Sequence, residues 1–515
     1  MAVFALNSSA LTPETALISL LVIYFTTVLL YGLYNLTLHP LRSYPGPLLR
    51  RAYRLPETLS VLRGTPHTDV LALHLRYGPV VRLAPDQLSY ATAPAWKAIY
   101  GHYSLPTHGF SELPKDTRQY GKPMHGPYSI LVAEKENHDR FRRLLAPGFS
   151  EKGMRGVAGR VEGYVDLLIK GLREEGAEKG VWQDLRQWFN WTTFDLIGDL
   201  AFGESFGCLE LRRHNEWVDA VFGNVKFVPI MRTLSRYGLG GLVKLLPGKL
   251  KAAVRANWEN SYAKIQRRIP KGDARGDFMD NVLARSNLSS DSKSSSSPTT
   301  GMTVPEMVNN ASILVLGGSE TSATLLTGAV FLLLKHPAVL EKLTTEVRTS
   351  FKQDSDITLH SVDTLRYMGA VLDEAMRLYP PVPDSGNRVV PPQGVEICGS
   401  WVPGGTSVGV PQYPTNYLPS NFTRPGEFLP ERWLGAAEFE GDDRDARQPF
   451  SFGARNCIGK NLAYAEMRLI LAKVCWNFDM ELDEERCGEW MEGQKVFILW
   501  QKGPLWVKVK SVTHG

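Results

Sequence analysis

A chain of 515 residues would suggest about three domains on length alone, but no long linker divides it, so one large body plus an anchor is expected. Its net charge of +5 is spread rather than clustered, which is compatible with an anionic membrane surface or an acidic protein partner and makes no case for nucleic acid. The five cysteines (Cys208, Cys398, Cys457, Cys475 and Cys487) form no C-x-x-C pair, and this sparse, odd set argues for a reducing compartment.

In chain order, Ala16 to Leu38 carries no charge and is long enough to cross a bilayer as one helix. A signal peptide is the competing reading, but the preceding residues lack Lys or Arg and the apolar run is too long. Arg42, Arg50, Arg51 and Arg54 follow the run and only Glu14 precedes it, so the amino terminus is expected outside and the body in the cytosol. The expected divisions are an outer segment 1–15, an anchor 16–38, a proline-rich hinge 39–50 and a body 51–515. Asn7-Ser8-Ser9 is a glycosylation sequon on the outer side.

Thr68 to Tyr77 reads as a short helix, and Pro79–Leu83 with Gln87–Ala91 as a hairpin. Ser104 to Val132 has no stable periodicity, and irregular stretches of this length are disordered or functional. A helix opening near His138 is expected to continue beyond Pro147. Helical apolar spacing then runs from Trp182 to Phe202 and ends in Gly203-Glu-Ser205-Phe-Gly207, a formal match to the G-x-S-x-G elbow of serine hydrolases. That elbow needs a strand before it, whereas here a helix comes first, so Ser205 at a helix end is the plainer reading. Two helices, Asn215–Phe227 and Lys249–Arg268, flank a glycine-broken connector, Tyr237–Pro247, which is a candidate second membrane contact. Ser286–Thr300 is low-complexity and expected as a surface loop.

Thr303-Val-Pro305-Glu306 is a capping-box start for a helix running to Lys335, about 45 Å at 1.5 Å per residue. At its centre, adjacent Gly317 and Gly318 each cost roughly 1 kcal/mol against alanine, a cost that makes sense where a planar ligand presses on the backbone. Glu320 and Thr321 set an acid and a hydroxyl beside that gap. Glu374 and Arg377 share a helix face at i, i+3. Near the carboxyl end, Phe450-Ser-Phe-Gly453-Ala-Arg455-Asn-Cys457-Ile-Gly459 places one cysteine in a glycine-bracketed loop ahead of a helical pattern. Such a loop can hold a thiolate against a metal, with Gly453 and Gly459 letting the backbone pass close to a flat ligand and Arg455 reaching an anionic group on the same ligand.

This loop resembles the haem-binding loop of the cytochrome P450 family, Phe-x-x-Gly-x-Arg-x-Cys-x-Gly, at all five fixed positions, a match that chance would give on the order of once in 10^4 sequences. The resemblance implies a mainly α fold with small β-sheets, a single N-terminal transmembrane helix, and Cys457 as axial ligand of a haem b iron, with Phe450 and Arg455 beside it. Arg142 is the counterpart of a propionate-binding arginine, His138 stands where the family usually has Trp, and Arg388 matches another propionate-binding position. Gly317 and Gly318 with Glu320 and Thr321 match the Gly-x-(Asp/Glu)-Thr element, whose acid and alcohol supply protons during dioxygen activation. Phe428 to Trp433 resembles the meander motif, so that Arg432 joins Glu374 and Arg377 in a structural network. Pro383 to Gly386 is expected to line the pocket, with Asp384 facing a polar or basic group on the substrate.

No G-x-G-x-x-G or P-loop occurs, so electrons are expected from NADPH through NADPH-cytochrome P450 reductase, docking on a basic face near Arg455 and Lys460. The family's single-anchor members place the chain in the endoplasmic reticulum membrane, with the amino terminus lumenal. The implied activity is O2-dependent hydroxylation, or another oxidation, of a small lipophilic substrate, in the manner of filamentous-fungal members acting on polyketides, terpenoids or alkaloids. The alternatives are oxidative ring closure, desaturation or phenol coupling, a non-enzymatic haem binder, and a serine hydrolase through Ser205.

Overall fold

The computed structural model describes residues 12–120, 123, 125–213, 227–245, 248–286, 300–384 and 386–514. The Asn7 sequon, nearly all of the helix expected at 215–227, and most of the loop expected at 286–300 lie outside them. Helix α1 (Pro13–Thr37) is capped by Thr12 and exposes Leu17, Ile18, Leu20, Val22, Ile23 and Phe25; its mean hydropathy of 2.2 and length of 25 residues suffice to cross a membrane. Its inner end is bonded to the body. Asn35 donates to Ala52 O at 2.8 Å on helix α2 (Leu48–Ala52), and the Tyr53 hydroxyl donates to Val28 O at 3.1 Å. The fully buried Arg82 of strand β1 (Val80–Ala84) donates to Asn35 O at 2.9 Å, Leu41 O at 3.2 Å and Pro85 O at 2.7 Å.

Strand β1 pairs antiparallel with β2 (Gln87–Tyr90), as the hairpin pattern predicts, and the helix before them begins at Pro66, two residues ahead of expectation. Helix α3 (Lys135–Leu145) carries His138, Arg140 and Arg142. It does not continue beyond Pro147: a 3-10 turn, Ala146–Phe149, intervenes because proline has no N–H for the helix ladder. A new helix, α4 (Glu151–Leu172), then starts on the Ser150 cap. The next helix also begins later than its apolar spacing implies. Gln183–Asp184 forms a short strand, β3, and the Asp184 side chain accepts the Arg186 N–H to cap α5 (Leu185–Phe202).

Helix α6 (Val304–Lys335) has the reciprocal capping box, with Thr303 N–H to Glu306 at 2.8 Å and Glu306 N–H to Thr303 at 3.4 Å. Arg140 of α3 grips the same buried Glu306 at 2.6 Å, so the cap also fixes where α6 starts against the body. Helix α6 packs along α5, which is buried along nearly its whole length, in the main apolar core. Helix α7 (Arg366–Leu378) and helix α8 (Lys460–Asn477), which follows Cys457, complete that core.

Among the described residues the strands form four small sheets. β4 (Arg388–Val389) and β7 (Ser407–Gly409) extend the first hairpin in the order β1-β2-β7-β4, and β5 (Val395–Ile397) pairs with β6 (Ser400–Val402). β8 (Phe478–Leu482) and β11 (Trp506–Ser511) join β3, and β9 (Lys495–Phe497) pairs with β10 (Leu499–Gln501). This is the mainly α architecture with small sheets that was expected.

Candidate haem-thiolate site

The cysteine loop is shaped by the glycine that the motif requires. Gly453 sits at φ +76°, and a Cβ there would lie 1.9 Å from the Tyr100 carbonyl oxygen. Gly453 thus serves the close approach of loop to backbone rather than the passage of a flat ligand. We expect Gly453→Ala to cost about 2–5 kcal/mol in chemical unfolding, from strain plus overlap. Gly317→Ala, whose Cβ meets nothing within 4 Å, should cost none; equal losses would refute the assignment.

Cys457 N–H donates to Phe450 O at 2.8 Å, closing the loop, and the Phe450 ring packs against Tyr464 of α8 at 5.2 Å. Arg142 grips the loop from α3, donating to Asn456 O at 2.7 Å and to Asn456 Oδ1 at 2.5 Å. Cys457 is accessible although protein surrounds it on most sides, as for a side chain in a concave wall. Burial pushes its thiol pKa up, while the Gly459 N–H and the Arg142 guanidinium pull it down. A neighbouring metal cation would tip that balance to thiolate.

Beside the loop, cations outnumber anions. Arg455 is buried and bonded to Glu112 at 2.8 Å and to Ala133 O at 2.7 Å. Lys115, which the sequence reading missed, is bridged through its backbone to Arg388. Burial, with Arg388 and Arg455 close by, pushes Lys115 down to about 7. Buried Arg388 donates to Leu113 O at 3.3 Å, and its Nε has no hydrogen-bond partner. Glu112 is the carboxylate that acts on all three of these cations, and an anionic ligand would relieve both Lys115 and Arg388. His138 is buried beside them rather than on the surface; its Nδ1 lies 3.1 Å from Asp139, and burial lowers its pKa. The donor set therefore fits a metal macrocycle with acidic side arms: one thiol and a cluster of buried cations.

Along α6, Asn309, Ile313, Gly317 and Thr321 keep some accessibility in a helix that is otherwise largely buried. Their spacing of four puts them on one face. Gly318 faces away from it: a Cβ there would meet Ile197 of α5 at 3.1 Å, so this glycine serves helix packing. Thr321 donates to Gly317 O at 2.5 Å, a back-bond to the carbonyl one turn earlier. Glu320 does not share that face with it. Adjacent helix residues diverge by about 100°, and Glu320 points into a buried ion pair with Lys502 beyond β10.

The supporting network lies in the core. Glu374 accepts from Arg377 at 2.7 and 2.9 Å, from Arg432 at 3.3 Å, from Trp433 Nε1 at 2.9 Å and from Leu429 N–H at 3.2 Å. Ser205 follows the end of α5 and accepts the Gly207 N–H at 2.9 Å, while Asp195 caps the next turn through the N–H groups of Phe206, Cys208 and Leu209. It lies on a helix-to-helix turn, not on a strand–helix elbow.

Comparison with known proteins agrees with this geometry. The family model for cytochrome P450 matches residues 47–509. The chain is 48% identical over 499 residues to averantin hydroxylase of Dothistroma septosporum, covering 96% of this chain and 91% of that one. It is 47% identical over 482 residues to cytochrome P450 monooxygenase stcF of Emericella nidulans, covering 93% and 96%. It is 43% identical over 506 residues to versicolorin B desaturase of Dothistroma septosporum, covering 97% and 95%. Matched over residues 47–509 and with the cysteine loop and its cation cluster in this fold, the chain belongs to the cytochrome P450 family.

Proposed function

We propose that the chain is a membrane-anchored monooxygenase that hydroxylates a small lipophilic substrate of fungal secondary metabolism, with haem b bound through Cys457. One oxygen atom of O2 enters a substrate C–H bond and the other leaves as water, using two electrons and two protons. The observation that carries the reading is the accessible but enclosed Cys457 beside the cation cluster of Lys115, Arg388 and Arg455. The relatives named as a hydroxylase and a monooxygenase support the reaction class. Bound haem would supply the iron at which dioxygen is activated, with thiolate donation favouring O–O cleavage.

The chain's own side chains do the rest. Lys115, Arg388 and Arg455 would hold the propionates, and Arg142 fixes the loop through Asn456. Thr321 holds a hydroxyl on the accessible face of α6 and can pass a proton once it turns from Gly317 O. Electrons come from NADPH through NADPH-cytochrome P450 reductase. Buried Arg455 cannot serve that docking face, whereas Lys460 and Arg143 are exposed near the loop. The membrane is the endoplasmic reticulum, with the amino terminus lumenal, in keeping with the arginines after α1. Exposed Leu48, Leu49, Leu55, Leu239 and Leu242 support further contact of the body with lipid.

The test is the carbon-monoxide difference spectrum of the dithionite-reduced protein beside Cys457→Ser. A red-shifted Soret band in the parent, lost in the variant, is expected. A band unchanged by the substitution would overturn the reading.

A further inference from the structure

Two neighbouring carboxylates on α7 have separate duties. Adjacent helix residues diverge by about 100°, so Glu374 turns into the fully buried network while Asp373 turns toward the two ends of the cysteine loop. One oxygen, Asp373 Oδ1, accepts from Arg447 Nη2 at 2.9 Å and from the Tyr464 hydroxyl at 2.7 Å. Arg447 follows the 3-10 turn Arg444–Ala446 and leads into the loop, and Tyr464 lies on α8, which leads out of it. Between Arg447 and α8 the only regular element is the single turn Gly453–Arg455.

Both donors are themselves held. The Arg447 side chain is 7% exposed, and its guanidinium lies over the Trp433 ring at 4.7 Å. Burial pushes the Tyr464 hydroxyl up to about 12, so it keeps its proton and donates. The ring of Tyr464 meets that of Phe450, whose carbonyl takes the Cys457 N–H. A continuous path of contacts thus runs from Asp373 through Tyr464 and Phe450 to Cys457.

We propose that Asp373 is a positioning residue for the cysteine ligand: by holding both arms of the loop on one oxygen, it fixes Phe450 and, through it, where the Cys457 sulfur stands. The proposal rests on Cys457 being the haem ligand. A loop tied at both ends has little conformational freedom left to lose when its sulfur meets a metal. Untied, Phe450 is free to swing, and the Cys457 N–H loses a fixed acceptor.

The test times the loss of the red-shifted Soret band of the carbon-monoxide complex, in dithionite-reduced, haem-loaded protein at urea concentrations below unfolding. Far-UV circular dichroism of the same samples reports whether the helices hold. Asp373→Ala removes both bonds and should speed the decay roughly tenfold or more. Tyr464→Phe, which keeps the ring and loses one bond, should speed it less, and Asp373→Asn, which keeps an oxygen acceptor, should fall between Asp373→Ala and the parent. Asp373→Ala/Tyr464→Phe should decay no faster than Asp373→Ala, because the tyrosine's bond is already gone. Decay at the parent's rate in the single variants, decay only in step with loss of helix, or effects that multiply in the double variant would overturn the proposal. If Asp373→Ala does not fold, Tyr464→Phe decides alone: faster decay with intact helices supports the role, and the parent's rate overturns it. A parent without the band overturns the haem-thiolate reading as well, whereas a parent with the band and unmoved variants overturns only the role of Asp373.

Discussion

Arg432→Met is expected to lose about 3–5 kcal/mol of unfolding free energy, because it strands charge that has no access to water. Glu374, Arg377, Arg432 and Asp442 are all fully buried, so nothing dilutes their interactions. Arg432 bridges Glu374 of α7 to Asp442, which also accepts the Thr423 N–H at 2.6 Å. Removing it leaves Asp442 without its cation and Glu374 with one fewer donor. Arg377 cannot move over, since it already donates to Asn416 O, Pro425 O and Glu427 O. The segment so fixed leads directly into the cysteine loop, so haem retention should fall with stability. The control is Arg468→Ala, which breaks a surface pair with Asp363 at 2.7 Å and should cost at most about 1 kcal/mol. Urea unfolding of both variants decides the matter: a loss for Arg432→Met no larger than the control's would show that the network is dispensable.

The second large effect is a dependence on pH. Glu466 of α8 is buried, its carboxyl faces the Ser322 hydroxyl of α6, and neither oxygen makes a hydrogen bond of ordinary geometry. Burial pushes its pKa up to about 8. In the unfolded chain it ionises near pH 4.3, so from there up to pH 8 the unfolded state holds fewer protons than the folded one. Its contribution is therefore full below about pH 4, falls by about 1.4 kcal/mol per pH unit as pH rises, and is gone above pH 8. The total comes to roughly 5 kcal/mol. Glu466→Gln keeps the shape and removes the titration, so the variant should gain on the parent progressively between pH 5 and pH 8. A difference between the two that does not change with pH would show that Glu466 is ionised in the folded protein.

Much of this was legible because it is local. The cysteine loop, the capping box of α6 and the length of α1 are written in residues close together in the chain. The errors arose where a neighbour in space decides. Gly453 and Gly318 looked like room for a ligand, but a Tyr100 carbonyl and an Ile197 side chain claim those approaches. Glu320 and Thr321 looked like partners because they are adjacent, yet one helical step separates their directions and a lysine 182 positions away holds the acid. Lys115 left no trace at all: it lies in a stretch without periodicity, and only its bridge to Arg388 brings it to the cation cluster. Pro147 and Asp184 were readable signals, a helix stop and a helix cap, overridden by apolar spacing that ran on past them.

The attachment of α1 to the body has a mechanical consequence. A globule hung on a flexible leash swivels freely, and the direction its openings face is averaged away. Here Arg82, Asn35 and Tyr53 clamp the helix end to the first sheet and to α2, so there is no swivel. Any lean or rotation of the helix in a bilayer is handed to the whole catalytic body as to a rigid lever. In a bilayer, a thickness that changed that lean would tilt the whole body with it.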